Sequence, residues 1–189
     1  MRRVEKTDSL VITALMTCLV CLATYAFKIP NPLTQGYTHI GDTFIFMSVM
    51  VLGKKNGAAA SAIGAALADI MGGYAIFAIG TFIAKGMMAL VMGAVLEAGA
   101  RREQAASEKG KVRILSHSPY EILAMVLGGL TEVAIYVPVN ALVYGNMTVG
   151  FVSIPGNLGQ AAVCIVIAVL LIHALLKTPV KRYLVFAHR

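Results

Sequence analysis

Long apolar runs, broken only by short segments that gather the charge, set the limits on what this chain can be. The runs at 10–27, 76–96, 120–142 and 154–176 each come near the about 20 residues a helix needs to cross a hydrocarbon core of about 30 Å. Two shorter runs, 43–52 and 57–70, stand between the first two of these. Of the 189 residues 58% are hydrophobic and 13% charged, and the mean hydropathy is +0.79. A soluble domain carries about 25% charged residues, so an ordinary cytosolic enzyme is excluded, and so is intrinsic disorder. The pattern predicts an all-α membrane protein, a compact bundle of six transmembrane helices forming a single domain over 1–189. The short runs also fit re-entrant or buried elements. The first run is expected to be retained, because Lys28-Ile29-Pro30-Asn31-Pro32 is a poor small-residue cleavage site.

Charge sets the expected orientation. Arg2, Arg3 and Lys6 precede span 1, and Lys54 and Lys55 join spans 2 and 3. Arg101, Arg102, Lys109, Lys111 and Arg113 lie between spans 4 and 5, and Lys177, Lys181, Arg182 and Arg189 follow span 6. With six spans these fourteen of the sixteen basic residues share one side, which the positive-inside rule makes cytoplasmic. Both termini are then cytoplasmic, in a multi-pass protein of a bacterial plasma membrane. This distribution explains the net charge of +7 better than nucleic-acid binding does. The external segments are 28–42, between spans 1 and 2, and 143–153, between spans 5 and 6.

Lys85 lies nine residues into span 4 and Glu132 ten residues before the outer end of span 5. Helical rise puts them roughly 13 Å and roughly 15 Å deep, at one level on neighbouring antiparallel spans. A charge there is costly unless paired or watered. Two readings stay open: an ion pair that locks two helices, and a polar ligand pocket in the outer half of the bundle. Asn140, Asn157 and Gln160 converge on that half, the last two sharing a helix face, and the external segment brings Asn31, Gln35, Tyr37, His39 and Asp42. Amides donate and accept, which suits a heteroaromatic ring, and Tyr37 and Tyr136 can stack on one. His39 serves equally as a loop-folding hydrogen bond or a ligand contact.

No catalytic signature accompanies these groups. Gly53-Lys54-Lys55-Asn56-Gly57 is a cytoplasmic turn and not a P-loop, and neither a zinc-protease motif nor a serine elbow occurs. Cys18, Cys21 and Cys164 lie in apolar runs and read as small buried hydrophobes. Neither a metal nor a cofactor is expected, and no ATP hydrolysis by the chain itself. The absence of a clear internal repeat disfavours a self-contained secondary transporter.

Four stretches carry a family resemblance: His39-Ile40-Gly41-Asp42 with Phe44-Ile45-Phe46, Gly53 to Gly57, Ala68-Asp69-Ile70-Met71-Gly72-Gly73, and Gly80-Thr81-Phe82-Ile83-Ala84-Lys85-Gly86. In order and spacing the chain resembles the substrate-binding S component of energy-coupling factor (ECF) vitamin transporters, in the branch holding riboflavin, hydroxymethylpyrimidine/pyridoxine and pantothenate carriers. The resemblance implies a six-helix bundle that binds a vitamin near the outer side through the 1–2 loop and helices 4, 5 and 6. It also implies docking, through small-residue helix faces, on a transmembrane coupling subunit carried by two cytoplasmic ATPases. Many members have an Ala-xxx-Ala contact in span 1. The nearest match here is Ala14 with Cys18, and Ser61 with Ala65 on span 3 is a second candidate face.

The expected ligand contacts are thus Lys85, Glu132, Asn140, Asn157, Gln160, Tyr37, His39, Asp42 and Tyr136. The compact polar set leans toward hydroxymethylpyrimidine or pyridoxine, with pantothenate, its carboxylate on Lys85, or riboflavin as alternatives. A membrane-embedded enzyme using Lys85 and Glu132 as acid and base, and an assembly protein in which they are only a lock, are the rivals from other classes.

Overall fold

In hydrocarbon each backbone amide must bond within its own segment, so the apolar runs become helices. The computed structural model describes residues 6–30, 37–108 and 119–178. Helix α1 (Lys6–Ala26) leads into a short hairpin of β1 (Lys28–Pro30) and β2 (Tyr37–His39). Then come α2 (Gly41–Met71), a 3-10 turn (Ala75–Phe77), α3 (Ala78–Glu108), α4 (Pro119–Tyr144), α5 (Met147–Val152) and α6 (Ile154–Leu176). Among the described residues four stretches are long and apolar enough to cross a membrane: Thr7–Ala26, Ala75–Ala105, Pro119–Tyr144 and Met147–Leu176. Large apolar side chains such as Leu10, Ile79, Leu142 and Leu170 face outward, as lipid contact requires. The chain is an all-α bundle embedded in the membrane.

The two short runs expected at 43–52 and 57–70 are the two legs of α2. Gly53 separates them with φ 75° and ψ −176°, a backbone region open essentially to glycine alone. The chain folds back there. A Cβ placed on Gly57 lies 2.8 Å from Val49 Cα, whereas an unbroken helix would carry the two about 12 Å apart. The first leg, 41–52, is about 18 Å long by helical rise, too short for a hydrocarbon core of about 30 Å. It is instead the most enclosed part of the bundle, with Ile45, Phe46, Val49 and Met50 at its centre. Surrounded by other helices, it has no need to match the bilayer.

Helix α2 packs on α1, α3 and α6, and α4 on α3, α5 and α6. The alanines and glycines of the second leg allow the closest approach, a Cβ on Gly64 lying 2.6 Å from the Thr17 carbonyl oxygen of α1. Ser61 and Ala65 are consequently buried within the chain, and the Ser61 hydroxyl donates to the Gly57 carbonyl at 2.7 Å. This corrects the second expected docking face: its own bundle covers it. Ala14 and Cys18 stay exposed on α1.

Three connections carry helix or strand within their described residues. The 28–42 segment carries the hairpin, with Lys28 opposite His39 and Pro30 opposite Tyr37. The 143–153 segment holds α5, capped by the Asn146 side chain, which accepts from the Thr148 N–H at 2.9 Å. Helix α3 runs past 96 into the charged segment. The bundle thus has a hairpin end and a Gly53 end. At the Gly53 end Lys54 Nζ meets Glu97 Oε2 at 2.7 Å, with Lys55, Arg101, Arg102 and Lys177 on the same helix ends. Arg2, Arg3, Lys109, Lys111, Arg113, Lys181, Arg182 and Arg189 lie outside the described residues.

Two glycine replacements test this backbone. Gly53→Ala should destabilise the protein by about 1–3 kcal/mol. Gly159→Ala, in α6 where a Cβ meets nothing within 4 Å, should be neutral or stabilise by up to about 1 kcal/mol. Thermal unfolding in one detergent compares them, and equal effects would rule out the Gly53 reversal.

Candidate ligand site

Lys85 of α3 stands between two carboxylates. Its ammonium lies 2.6 Å from Asp42 Oδ1 and also bonds Glu132 Oε1, and all three side chains are 0% exposed. Gln160 of α6 closes the cluster: its Nε2 donates to Asp42 Oδ2 at 2.6 Å and to Glu132 Oε1 at 3.1 Å. Its Oε1 accepts the His39 backbone N–H at 3.0 Å, and the Tyr136 ring centre lies 5.5 Å from Lys85 Nζ. Lys85 and Glu132 therefore meet across neighbouring helices. What the spacing did not reveal is that Asp42, read as a loop residue, occupies the first turn of α2 and is a direct counter-ion. Taking ions out of water costs several kcal/mol each. That cost is offset here only because the ammonium touches both carboxylates while Gln160 bonds each of them.

Beside the cluster, at the hairpin end, is a cavity of about 60 Å³. Tyr37, Tyr74, Phe77 and Tyr136 give it aromatic walls, and Asn140, Asn157 and Gln160 give it amides. His39, Asp69 and Thr81 line it too. Lys85, Glu132 and Asp42 are not in the lining; they stand behind Gln160 and Tyr136. Asn31 and Gln35 lie outside the described residues. Asp69, Tyr74, Phe77 and Thr81 complete the wall from the 68–86 stretch. Pockets for drug-sized ligands are about 300–1,000 Å³, so a multi-ring ligand enters only if a wall moves.

The hairpin is the wall with the fewest covalent ties, and side chains hold it down. Tyr37 Oη donates to Asp69 Oδ1, and the Tyr37 ring packs 4.7 Å from Tyr74 and 5.5 Å from His39. Burial, and next to it the Asp69 carboxylate, push the Tyr37 phenol well above its ordinary range, so it remains a donor. The Lys28 ammonium sits 4.5 Å from the Tyr37 ring centre and 5.1 Å from that of Tyr74. His39 lines the cavity, and its Nδ1 makes the loop-folding bond, accepting the Gly41 N–H at 3.0 Å. Burial lowers its pKa to about 4, which keeps the ring neutral and able to accept. Among the described residues no three His, Cys, Asp or Glu side chains are grouped to hold a metal.

Two outcomes follow from this geometry. Lys85→Met leaves two buried carboxylates without their cation and should cost about 3–5 kcal/mol. Adding Asp42→Asn and Glu132→Gln should recover most of that loss in thermal unfolding. For His39, the unfolded chain takes a proton near 6.5 and the folded one near 4. The unfolded state thus binds more protons in that window, and stability falls as pH drops through it. His39→Asn, which keeps an acceptor for Gly41, should flatten that part of the pH–stability curve; an unchanged slope would contradict the buried neutral imidazole.

Residues 4–177 match the sequence model of the family described as ECF-type riboflavin transporter, S component. A protein of Pyrococcus woesei described as "Uncharacterized protein in gap 3'region" is similar as well, 30% identical over 126 residues, which are 67% of this chain and 74% of that protein. The match spans α1 through α6, including each segment that builds the cluster and the cavity. With its helices in the membrane and its polar cavity at one end of the bundle, the chain belongs to the ECF-type riboflavin transporter S component family and is a vitamin-binding transport subunit, not an enzyme.

Proposed function

We propose that this subunit captures riboflavin at the hairpin end, facing outside the cell, and delivers it with a transmembrane coupling subunit and two cytoplasmic ATPases. One observation carries the reading: a cavity walled by tyrosines and amides lies in a chain that matches the riboflavin S component family over residues 4–177. Tyrosine faces suit a planar ring system, and amides suit its alternating acceptors and donors. The family match favours riboflavin over hydroxymethylpyrimidine or pyridoxine.

In this reading α1, both legs of α2, α3, α4 and α6 run in turn between the two sides, the short first leg of α2 inside the bundle and not against lipid, with both termini cytoplasmic. The basic residues at the Gly53 end support that direction. Tyr37, His39, Tyr136, Asn140, Asn157 and Gln160 contact the vitamin. Lys85, Asp42 and Glu132 brace them from behind, and Ala14 with Cys18 faces the coupling subunit.

Mass spectrometry of the small molecule that co-purifies, and titration by quenching of flavin fluorescence, test the assignment. Riboflavin should bind below micromolar concentration without chemical change, and pyridoxine, hydroxymethylpyrimidine and pantothenate at least about a hundredfold more weakly. Asn140→Leu and Asn157→Leu should each weaken riboflavin by about tenfold, or about 1.4 kcal/mol. A protein that binds none of the four vitamins yet unfolds on Lys85→Met would instead have the cluster as a structural lock.

A further inference from the structure

The cavity contains one carboxylate outside the Lys85 cluster. Asp69 lies near the end of the second leg of α2 and is 3% exposed. Its Oδ1 accepts from Tyr37, while its Oδ2 is buried without a hydrogen-bond partner. The Thr81 hydroxyl stands beside the carboxylate and pairs with the Tyr136 hydroxyl at 3.0 Å, where either of the two can donate. Asn157 Nδ2, on another wall of the same cavity, is likewise buried and unpartnered. A buried carboxylate oxygen without a donor is costly, and so is a buried amide N–H without an acceptor. The two orphans are complementary to a single group that donates toward Asp69 and accepts from Asn157. A hydroxyl does both, through one rotatable O–H and two lone pairs.

We propose that Asp69, on the third membrane-crossing segment, is a specificity-determining ligand contact, and that with Asn157 it holds a hydroxyl of a neutral ligand. Tyr37 fixes the carboxylate by occupying Oδ1, and Asp69 lines the cavity with its Oδ2 left without a partner. The hairpin that supplies Tyr37 thereby also positions the acceptor. A ligand with hydrogen in place of that hydroxyl leaves both orphans buried, which is how a polar pocket rejects close analogues. The inference rests on the vitamin-binding reading above, and every vitamin weighed there carries a hydroxyl.

The test uses Asp69→Asn in the full chain. The asparagine Oδ1 can still accept from Tyr37, so the fold is kept while an N–H₂ group replaces the free acceptor. Thermal unfolding without ligand checks that retention. Riboflavin, with its hydroxylated arm, and lumiflavin, the same ring system without it, are titrated against both proteins. Asp69→Asn should weaken riboflavin at least tenfold and leave lumiflavin unchanged, and wild type should prefer riboflavin. Equal riboflavin affinity in the two proteins would overturn the inference. Equal weakening of both flavins would place Asp69 against the ring and overturn the hydroxyl assignment. If Asp69→Asn does not fold, the wild-type preference decides: no preference for riboflavin over lumiflavin overturns the hydroxyl contact. If wild type takes pyridoxine, hydroxymethylpyrimidine or pantothenate in place of riboflavin, the vitamin assignment fails alone. The Asp69 inference then stands or falls on whether Asp69→Asn weakens that ligand tenfold. Binding of none of these molecules overturns both.

Discussion

An ammonium group buried with two carboxylates inside an apolar bundle is the constraint to which the rest of this structure answers. Lys85, Asp42 and Glu132 are wholly enclosed, and no one helix could hold them. The start of α2, the body of α3 and the outer part of α4 must converge, with Gln160 of α6 bonding both carboxylates. Each segment is thereby fixed in rotation and depth relative to the others. The same side chains carry the cavity, because Gln160 and Tyr136 are shared between the cluster and the wall. Stability and recognition thus rest on one set of contacts, and a weakened cluster loosens the pocket.

The hairpin closes one side of this frame. It joins α1 to α2, and hydrogen bonds at its second strand hold it: Tyr37 to Asp69 and the His39 N–H to Gln160. Through these two contacts the cavity wall at the hairpin end depends on α2 and α6. The reversal at Gly53 sits at the other end, among the basic residues, where the Lys54–Glu97 pair ties α2 to α3.

Much of this was legible in the sequence, and the gaps have physical causes. The long runs mark their helices because hydropathy alone decides a lipid-facing segment. The legs of α2 are harder to read because neither answers to lipid: the first is short and enclosed, and the second is alanine and glycine packed against α1. Lys85 and Glu132 were placed at one level by counting helical rise. Asp42 escaped because a residue at the first turn of a helix looks, in a sequence, like the end of a loop. The part of the cavity wall given by Phe77 and Thr81 escaped because it forms only when a turn of the chain folds against the hairpin. Ser61 and Ala65 show the limit of small-residue patterns, which mark close packing without saying whether the partner is another chain or the same one.

The most direct test of the account is an experimental structure of the protein with the vitamin that co-purifies with it. The account predicts the ring between Tyr37, Tyr74 and the amides of Asn140 and Asn157, with Lys85 still joined to Asp42 and Glu132. A ligand inserted between Lys85 and Glu132, or bound away from the hairpin end, would contradict it.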